Sequence, residues 1–162
     1  MKVIQFVGYK NTGKTTLVCR LVNMLNHSGY KVGAIKHDAH HFEMDHPGKD
    51  TWNFREAGAQ AVAITSKTQS AYLEETQVPL AELISRMEHM DYILVEGFKK
   101  ESYPKIVIVK CADQAALVEQ SEKVRAVVSW GEISEMPYSL PQFHIDETDK
   151  MFHWIINENW ES

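Results

Sequence analysis

Residues 8–15 read Gly8-Tyr9-Lys10-Asn11-Thr12-Gly13-Lys14-Thr15 and match the pattern G-x-x-x-x-G-K-[ST] in full. In this pattern the two glycines allow the backbone to turn its amide groups toward phosphate oxygens. Lys14 offers a positive charge to the terminal phosphates, and the hydroxyl of Thr15 suits a Mg²⁺ ion that bridges them. The sequence therefore predicts a phosphate-binding loop, or P-loop, whose nucleotide-binding residues are Gly8, Tyr9, Lys10, Asn11, Thr12, Gly13, Lys14, Thr15 and Thr16.

The segments on either side of this loop follow the order that a phosphate site requires. The apolar run 3–7 before the loop predicts a buried parallel strand. Residues 14–27 after it place apolar side chains at helical spacing, and the pattern ends at Ser28-Gly29. A second apolar run at 31–35 completes a strand–helix–strand unit, which is typical of a parallel sheet. The helix is therefore expected to aim the positive end of its dipole at the phosphates.

The rest of the chain continues as alternating strands and helices. Further strands are predicted at 92–95, 106–109 and 124–128, and further helices at 51–57, at 79–87 and after a capping Asp146. The runs 61–65 and 70–73 predict a β-hairpin, which we expect at a sheet edge. Since no repeat or linker divides the sequence, we expect a single nucleotide-binding domain over residues 1–162. The predicted fold is three-layer α/β, a P-loop NTPase with a mostly parallel sheet and an edge β-hairpin.

Composition and charge narrow the range of partners. The chain has 162 residues and a formal net charge of −5, which argues against nucleic acid as a partner. No apolar run approaches the ~18 residues of a membrane span, so no membrane association is expected. The two cysteines, Cys19 and Cys111, lie far apart and form no CxxC pair. This cysteine usage fits a reducing compartment, and we expect a cytoplasmic protein.

A P-loop protein also needs a carboxylate near the Mg²⁺ ion, usually at the end of a neighbouring strand. Glu96 follows the buried run 92–95 and precedes Gly97, which lets the chain pass close to a ligand. Ligands of open α/β sheets bind at this carboxyl end of the strands. Because Glu is longer than the usual Asp, Glu96 could reach the metal through a water molecule. The predicted metal-binding residues are thus Thr15 and Glu96; the alternative for Glu96 is a surface residue that only ends a strand.

Residues 36–50 are rich in His and Asp and follow the second strand, where nucleotide hydrolases have a switch loop. An Asp in such a loop could hold a metal-bound water or orient the attacking one. The candidates are Asp38, Asp45 and Asp50, which together with Glu96 form the predicted catalytic set. Two other interpretations stay open: a transition-metal site, because imidazole binds Zn and Ni, and an ordinary solvated loop.

Taken in order, these motifs resemble the MobB family of molybdopterin-guanine dinucleotide biosynthesis adaptors. The P-loop is followed by Lys36-His37-Asp38, Pro47-Gly48-Lys49-Asp50-Thr51, Ala57-Gly58-Ala59 and Glu96-Gly97-Phe98-Lys99. The P-loop alone is generic, whereas the later motifs in this order make the likeness specific over residues 1–110.

The resemblance implies a GTP-binding protein that hydrolyses GTP weakly, uses Mg²⁺ and acts mainly as an adaptor. Its partner would be the molybdenum-cofactor guanylyltransferase, the enzyme that joins GMP to molybdopterin. The resemblance also implies a homodimer, which the exposed edge of the predicted hairpin favours. Lys10 stands one place away from the second lysine of the related GKGGxGK[ST] loops, and no N-K-x-D guanine-reading motif is present. The choice of GTP over ATP therefore comes from the resemblance alone.

Three other functions fit the motifs. One is a GTPase that inserts nickel, suggested by the histidines of residues 36–50; the others are a small-molecule P-loop kinase and a module that never hydrolyses nucleotide. Fast GTP hydrolysis needs an arginine finger or a well-placed Gln, and no Arg lies in the P-loop or in residues 36–50. We therefore expect slow turnover by the protein alone. The arginines are scattered singly, which argues against the arginine-bearing lid of a kinase: Arg20, Arg55, Arg86 and Arg125.

Overall fold

The computed structural model describes residues 1–38, 42–131 and 140–160. The chain forms two compact units, residues 1–37 with 80–162 and residues 38–79, a division that no linker in the sequence marks. The helices and strands in chain order are β1 (Lys2–Gly8), α1 (Lys14–His27), β2 (Val32–Lys36), α2 (Asp50–Glu56), β3 (Ala61–Thr65), β4 (Ser70–Glu74), α3 (Leu80–Ser85), β5 (Tyr92–Glu96), β6 (Lys105–Val109), α4 (Ala116–Glu119), β7 (Val124–Ser129), β8 (Gln142–His144) and α5 (Thr148–Asn157).

The first unit contains a six-stranded sheet in the order β2-β5-β1-β6-β7-β8. Every pair of neighbouring strands in it is parallel. Parallel neighbours need a crossover connection, which explains why helices separate most strands along the chain. β5 and β6 are buried along their whole length, as expected for strands covered on both faces. The predicted α/β fold with a parallel sheet is confirmed.

Helices cover both faces of this sheet. One face packs against α1 and α5 through a cluster that includes Phe6, Leu21, Leu94 and Met151. The opposite face packs in two patches, against α3 and against α4, with buried residues that include Ile84, Ile93, Val107 and Leu117. Since successive residues of a strand point to opposite faces, each apolar strand serves both layers of helices. The predicted three-layer arrangement is confirmed.

α1 is held by its apolar stripe. Leu17, Val18, Leu21 and Leu25 are buried, at the spacing of one helix face. Full burial of a leucine side chain stabilises the fold by about 1.5–3 kcal/mol, so this stripe fixes the helix that follows the P-loop. The part of the chain that the structure describes contains no helix long and apolar enough to cross a bilayer.

The observed bounds differ from the predicted ones by at most two residues. α4 and β8 were not predicted, because four and three residues are too few to show a periodic pattern. The prediction that Asp146 caps the last helix is wrong, since α5 begins at Thr148 and its N-cap residue is Glu147. The Glu147 carboxylate accepts hydrogen bonds from the backbone amide of His144 and from Lys150 Nζ.

The second unit contains α2 and the predicted hairpin. β3 and β4 are antiparallel, from Ala61 opposite Glu74 to Thr65 opposite Ser70. The hairpin is confirmed, but the two strands form a sheet of their own and add no strand to the six-stranded sheet. The expectation of a hairpin at the edge of the main sheet is therefore corrected, because the ladder of β3 is formed with β4 alone.

Leu21→Ala should lower the free energy of unfolding by about 2–5 kcal/mol, because the side chain is 0% exposed and its removal leaves a cavity under α1. Urea unfolding followed by circular dichroism measures the change. Asn23→Ala, at an exposed position of the same helix, is the control and should change the value by less than about 0.5 kcal/mol. Equal effects of the two substitutions would contradict the assignment of the buried face.

Candidate functional site

Three parallel strands end side by side at one edge of the sheet. Phe6 of β1 is paired with Glu96 at the end of β5, and Glu96 is paired with Lys36 at the end of β2. β1 continues to Gly8, where the predicted P-loop begins. The register therefore brings the loop, Glu96 and Lys36 to one place.

The P-loop closes tightly on itself and on β6. A Cβ atom at Gly8 would lie 2.7 Å from the carbonyl oxygen of Ile108 and 2.8 Å from Oγ1 of Thr12, so only glycine fits there. The hydroxyl of buried Thr12 donates to the carbonyl of Tyr9 at 2.9 Å. Positive φ angles occur at Asn11 (61°) and Gly13 (86°) but not at Gly8. Gly8 thus serves through its small size, which corrects the expectation that both glycines supply unusual backbone angles.

α1 begins directly after the loop, with Gly13 as its N-cap residue. Glycine has no side chain to accept hydrogen bonds from the amides of the first turn, and that turn contains no acidic residue. These amides have no partner within the helix, and the dipole of the 14-residue helix adds positive potential at the same end. The start of α1 therefore suits an anion such as a phosphate group.

Thr15 and Glu96 meet at the mouth of the loop. Oγ1 of Thr15 lies 3.0 Å from Oε1 and 2.9 Å from Oε2 of Glu96. Nζ of Lys36 lies 3.9 Å from the same Oε1, and the Glu96 side chain is only 12% exposed. Nζ of Lys14 donates to the carbonyl of Tyr9 at 2.6 Å. Glu96 is thus a buried member of the site, and the alternative of a surface residue is wrong.

The site has an excess of positive charge. Burial lowers the pKa of Lys14, attraction by Glu96 opposes this shift, and repulsion from Lys99 and Lys36 adds to it. Lys14 therefore interacts with two other lysines and with one carboxylate. A phosphate group would favour the charged form of Lys14, because opposite charges stabilise one another.

The backbone after Glu96 is fixed by a buried side chain of β1. Gln5 donates through Nε2 to the carbonyls of Gly97 (3.0 Å) and Phe98 (2.6 Å). Gly97 has a φ of 98°, and a Cβ atom there would come within 3.0 Å of Cβ of His37. The rings of His37 and Phe98 lie against each other, with centroids 4.6 Å apart. Glycine at position 97 is therefore needed for both the turn and the close approach of His37, the residue after β2.

Trp130 belongs to the site but was missed in the sequence. It follows β7, and its Nε1 donates to the carbonyl of Thr12 at 2.9 Å. A Cβ atom at Gly13 would lie 3.1 Å from its ring. Nε2 of His144, at the end of β8, donates to the Trp130 carbonyl at 3.0 Å. Trp130 thus connects the P-loop to the ends of β7 and β8. Its position directly after a buried strand, as a large aromatic residue, is the sequence feature that could have indicated it.

A cavity of about 710 Å³ opens beside the loop. Its lining includes Thr15, Thr16, Cys19 and Arg20 of α1 and Thr148 and Asp149 of α5. This volume lies in the range of small-molecule sites. The predicted residue Thr16 faces this space, whereas Tyr9 and Lys10 are exposed on the loop surface.

The three aspartates of the predicted catalytic set belong to the second unit. Asp45 accepts a hydrogen bond from Oγ1 of Thr51 at 3.0 Å and lies 3.9 Å from Nη1 of Arg55. Asp38 is exposed, and Asp50 is the exposed first residue of α2. The contacts of Asp45 stabilise the turn before α2. Catalytic roles for Asp38, Asp45 and Asp50 stay predictions.

The histidine-rich segment is described only in part. Residues 39–41, with His40 and His41, lie outside the described residues. Within 1–38, 42–131 and 140–160, no group of three or more His, Cys, Asp or Glu side chains is placed to hold a metal ion. The transition-metal interpretation of this segment stays a prediction.

A complete G-x-x-x-x-G-K-T loop between a parallel strand and a helix, with an acid at the end of the adjacent strand, defines a P-loop nucleotide-binding protein. Residues 3–130 match the family model MobB, described as molybdopterin guanine dinucleotide synthesis protein B. The chain belongs to this family.

Individual relatives agree with this assignment. The molybdopterin-guanine dinucleotide biosynthesis adapter protein of Escherichia coli (strain K12) is 40% identical over 114 residues, which cover 67% of this chain and 65% of that protein. The chain thus spans slightly less than two thirds of that relative. The protein of the same name from Haemophilus influenzae is 36% identical over 78% of this chain and 74% of its own length. The crystal structure of Bacillus subtilis MobB matches 96% of each chain with a TM-score of 0.79 and 28% identity.

Trp130→Phe should weaken nucleotide binding about two- to tenfold, because a smaller aromatic ring remains but the hydrogen bond to the loop is lost. Fluorescence anisotropy of a labelled nucleotide measures the dissociation constant. Trp160→Phe is the matched control, since Nε1 of Trp160 donates to the carbonyl of Ile155 in α5. The control should lower the melting temperature without changing affinity. Unchanged affinity in Trp130→Phe would remove this residue from the site.

Proposed function

We propose that this protein binds GTP with Mg²⁺, hydrolyses it slowly and acts as an adaptor for the enzyme that attaches GMP to molybdopterin. The observation that carries the proposal is the contact between Thr15 and Glu96 at the mouth of a complete P-loop. Membership of the MobB family supports the pathway, because the relatives are described as molybdopterin-guanine dinucleotide biosynthesis adapter proteins. The preference for GTP rests on the family.

The donor set fits Mg²⁺. Mg²⁺ takes oxygen ligands, keeps several waters and commonly uses one or two protein groups together with phosphate oxygens. Thr15 provides a hydroxyl and Glu96 a carboxylate within hydrogen-bonding distance of each other, so both can serve one ion. When bound, the ion would offset the negative charge that develops on the phosphates.

The phosphates and the nucleoside of the ligand would bind at two adjoining places in the first unit. The amides at the start of α1 and Lys14 hold the phosphates. The cavity beside Thr15 and Thr16 adjoins these amides and has room for the ribose and base. In this arrangement Trp130 keeps the loop in shape from the side of β7.

Slow turnover is supported by the state of the arginines. Each of the four lies near a carboxylate: Arg20 near Asp146, Arg55 near Glu43 and Glu75, Arg86 near Glu82 and Arg125 near Glu158. Arg55, closest in sequence to the predicted switch loop, donates at 2.7 Å to Glu43 and at 2.6 Å to Glu75. Held in this way, Arg55 is unsuited to serve as an arginine finger or in a kinase lid. A partner would then have to supply the missing charge.

The second unit offers a surface for the proposed homodimer or for the partner enzyme. Its large side chains that are more than half exposed include Phe42, Met44, Phe54, Ile64 and Tyr72. In a two-stranded sheet, each strand also has one edge without a ladder partner within that sheet. Exposed apolar groups beside open strand edges favour association with another chain.

We place the protein in the cytoplasm. Cys19 and Cys111 are both free and exposed, which fits a compartment that keeps thiols reduced.

The adaptor function is tested by purifying a tagged protein from its native host and identifying the bound nucleotide and proteins by mass spectrometry. We expect guanine nucleotide and a guanylyltransferase with the parent protein. Lys14→Ala is the control and should lose the nucleotide, because charge-assisted bonds to phosphate of about 1.5–3 kcal/mol correspond to at least tenfold in affinity.

Adenine nucleotide in the parent sample would contradict the GTP assignment, and the absence of a guanylyltransferase would contradict the adaptor role. Sedimentation of the same sample gives the mass, and a monomer at tens of micromolar would remove the homodimer.

Glu96→Gln should slow GTP hydrolysis and weaken the dependence of GTP affinity on Mg²⁺, because the side chain keeps its size but loses the charge that the ion experiences. Single-turnover hydrolysis by the parent should proceed at ~10⁻⁴–10⁻² per second, the range of P-loop GTPases that lack a supplied arginine. Titrations with Mg²⁺ and with EDTA measure the affinities.

In EDTA, the variant should bind GTP at least as tightly as the parent, because the charge removed at position 96 repels the phosphates when no ion is present. The same Mg²⁺ dependence in both proteins would separate Glu96 from the metal, and turnover of several per second would make the protein a self-sufficient enzyme.

A further inference from the structure

Lys99 lies beside the P-loop although it is distant in sequence. Its Nζ is 4.3 Å from the centroid of the Tyr9 ring. Nζ of Lys14 donates to the carbonyl of the same tyrosine at 2.6 Å. Repulsion from Lys99 is also one of the causes that lower the pKa of Lys14. Lys99 and Lys14 therefore approach one residue of the loop, one at its ring and the other at its backbone.

The backbone that carries Lys99 is held by two buried side chains. Gln5 donates to the carbonyls of Gly97 and Phe98. Lys105, which is 1% exposed, donates to the carbonyl of Glu101 at 2.7 Å and to that of Lys99 at 3.4 Å. The turn thus has buried donors on both sides of Lys99, and the position of this lysine is fixed by the fold.

This turn also contains unfavourable backbone geometry. Phe98 has a φ of 52°, in the left-handed region that residues other than glycine rarely adopt. Such strain persists where the surroundings determine the conformation, and it is concentrated at functional sites. The exposed contact of Lys99 with the Tyr9 ring is weak by itself and gives no structural reason for this arrangement.

We propose that Lys99 binds the outermost phosphate of a nucleoside triphosphate and makes the site prefer triphosphates over diphosphates. The proposal rests on the proposed function, since it needs a nucleotide in the P-loop. The start of α1 and Thr15 hold the inner part of the phosphate chain. Lys99 reaches the loop from Tyr9, at the end opposite α1, and follows the strand that ends in Glu96. It therefore adds a positive charge where the third phosphate lies, with the Tyr9 ring as its position before binding.

The test compares the affinities of variants for a non-hydrolysable GTP analogue and for GDP, by calorimetry with Mg²⁺. Lys99→Ala should weaken binding of the analogue at least about tenfold and of GDP less than about twofold, because one charge-assisted contact to the third phosphate is lost. Lys100→Ala removes the same charge from the next residue of the chain and should change both affinities less than about twofold. Lys99→Arg keeps the charge and should retain most of the preference.

The affinity for GDP also reports whether each variant is folded. Lys99→Met, which removes the charge but keeps the length of the side chain, should behave as Lys99→Ala does. An unchanged ratio of the two affinities in both Lys99→Ala and Lys99→Met would overturn the proposal. The proposal would also be overturned if Lys100→Ala reduced the preference for the GTP analogue over GDP as much as Lys99→Ala does, because that result would indicate a general effect of charge. If the parent protein binds neither ligand, the proposed function fails as well, whereas normal binding with an unchanged ratio overturns only the role of Lys99.

Discussion

The site depends on the register of β5 between β1 and β2. Tyr92 to Val95 are buried, and this apolar run fixes which residue of β5 stands opposite Phe6. The residue in that place is Glu96, and the same register sets it opposite Lys36. A slip of one residue would turn its side chain to the other face of the sheet and away from Thr15. The packing of an apolar strand thus determines whether a carboxylate reaches the phosphate loop.

The sequence predicted those parts of the molecule that have a local motif or a periodic pattern of apolar residues. The P-loop, the helix 14–27 and the strand before Glu96 are each visible in a continuous stretch of sequence. Trp130 could not be found in this way, because its bond to Thr12 joins residues 118 positions apart. The short α4 and β8 are likewise set by packing and have no period of their own. The single nucleotide-binding domain over residues 1–162 stays a prediction, and no stretch of linker composition marks the bounds of the compact unit 38–79.

The residues of the predicted catalytic set differ in the kind of signal from which they were predicted. Glu96 was predicted from a strand end, and the fold places it against Thr15. Asp45 was predicted from its place in a polar loop, yet its carboxylate is engaged by Thr51 and lies near Arg55 within the second unit. A strand end has a defined direction in a parallel sheet, whereas a polar loop gives no indication of which neighbour its side chains will contact. The backbone amide of His37 donates to the carbonyl of Glu96 at 2.9 Å. His37 is also the last residue of the first unit before the chain continues into residues 38–79.

The distribution of charged side chains agrees with the proposed slow hydrolysis of a bound nucleotide. The lysines around the loop bring positive charge to the place where the phosphates are proposed to bind, which favours nucleotide affinity. Three of the arginines are paired with carboxylates away from the P-loop, and Arg20, which lines the cavity beside the loop, lies 3.9 Å from Asp146. Lys36 and His37 both contact Glu96 at the point where the chain leaves the first unit for residues 38–79. In the proposed function, a bound nucleotide would preserve these contacts while a partner docks and supplies the missing charge.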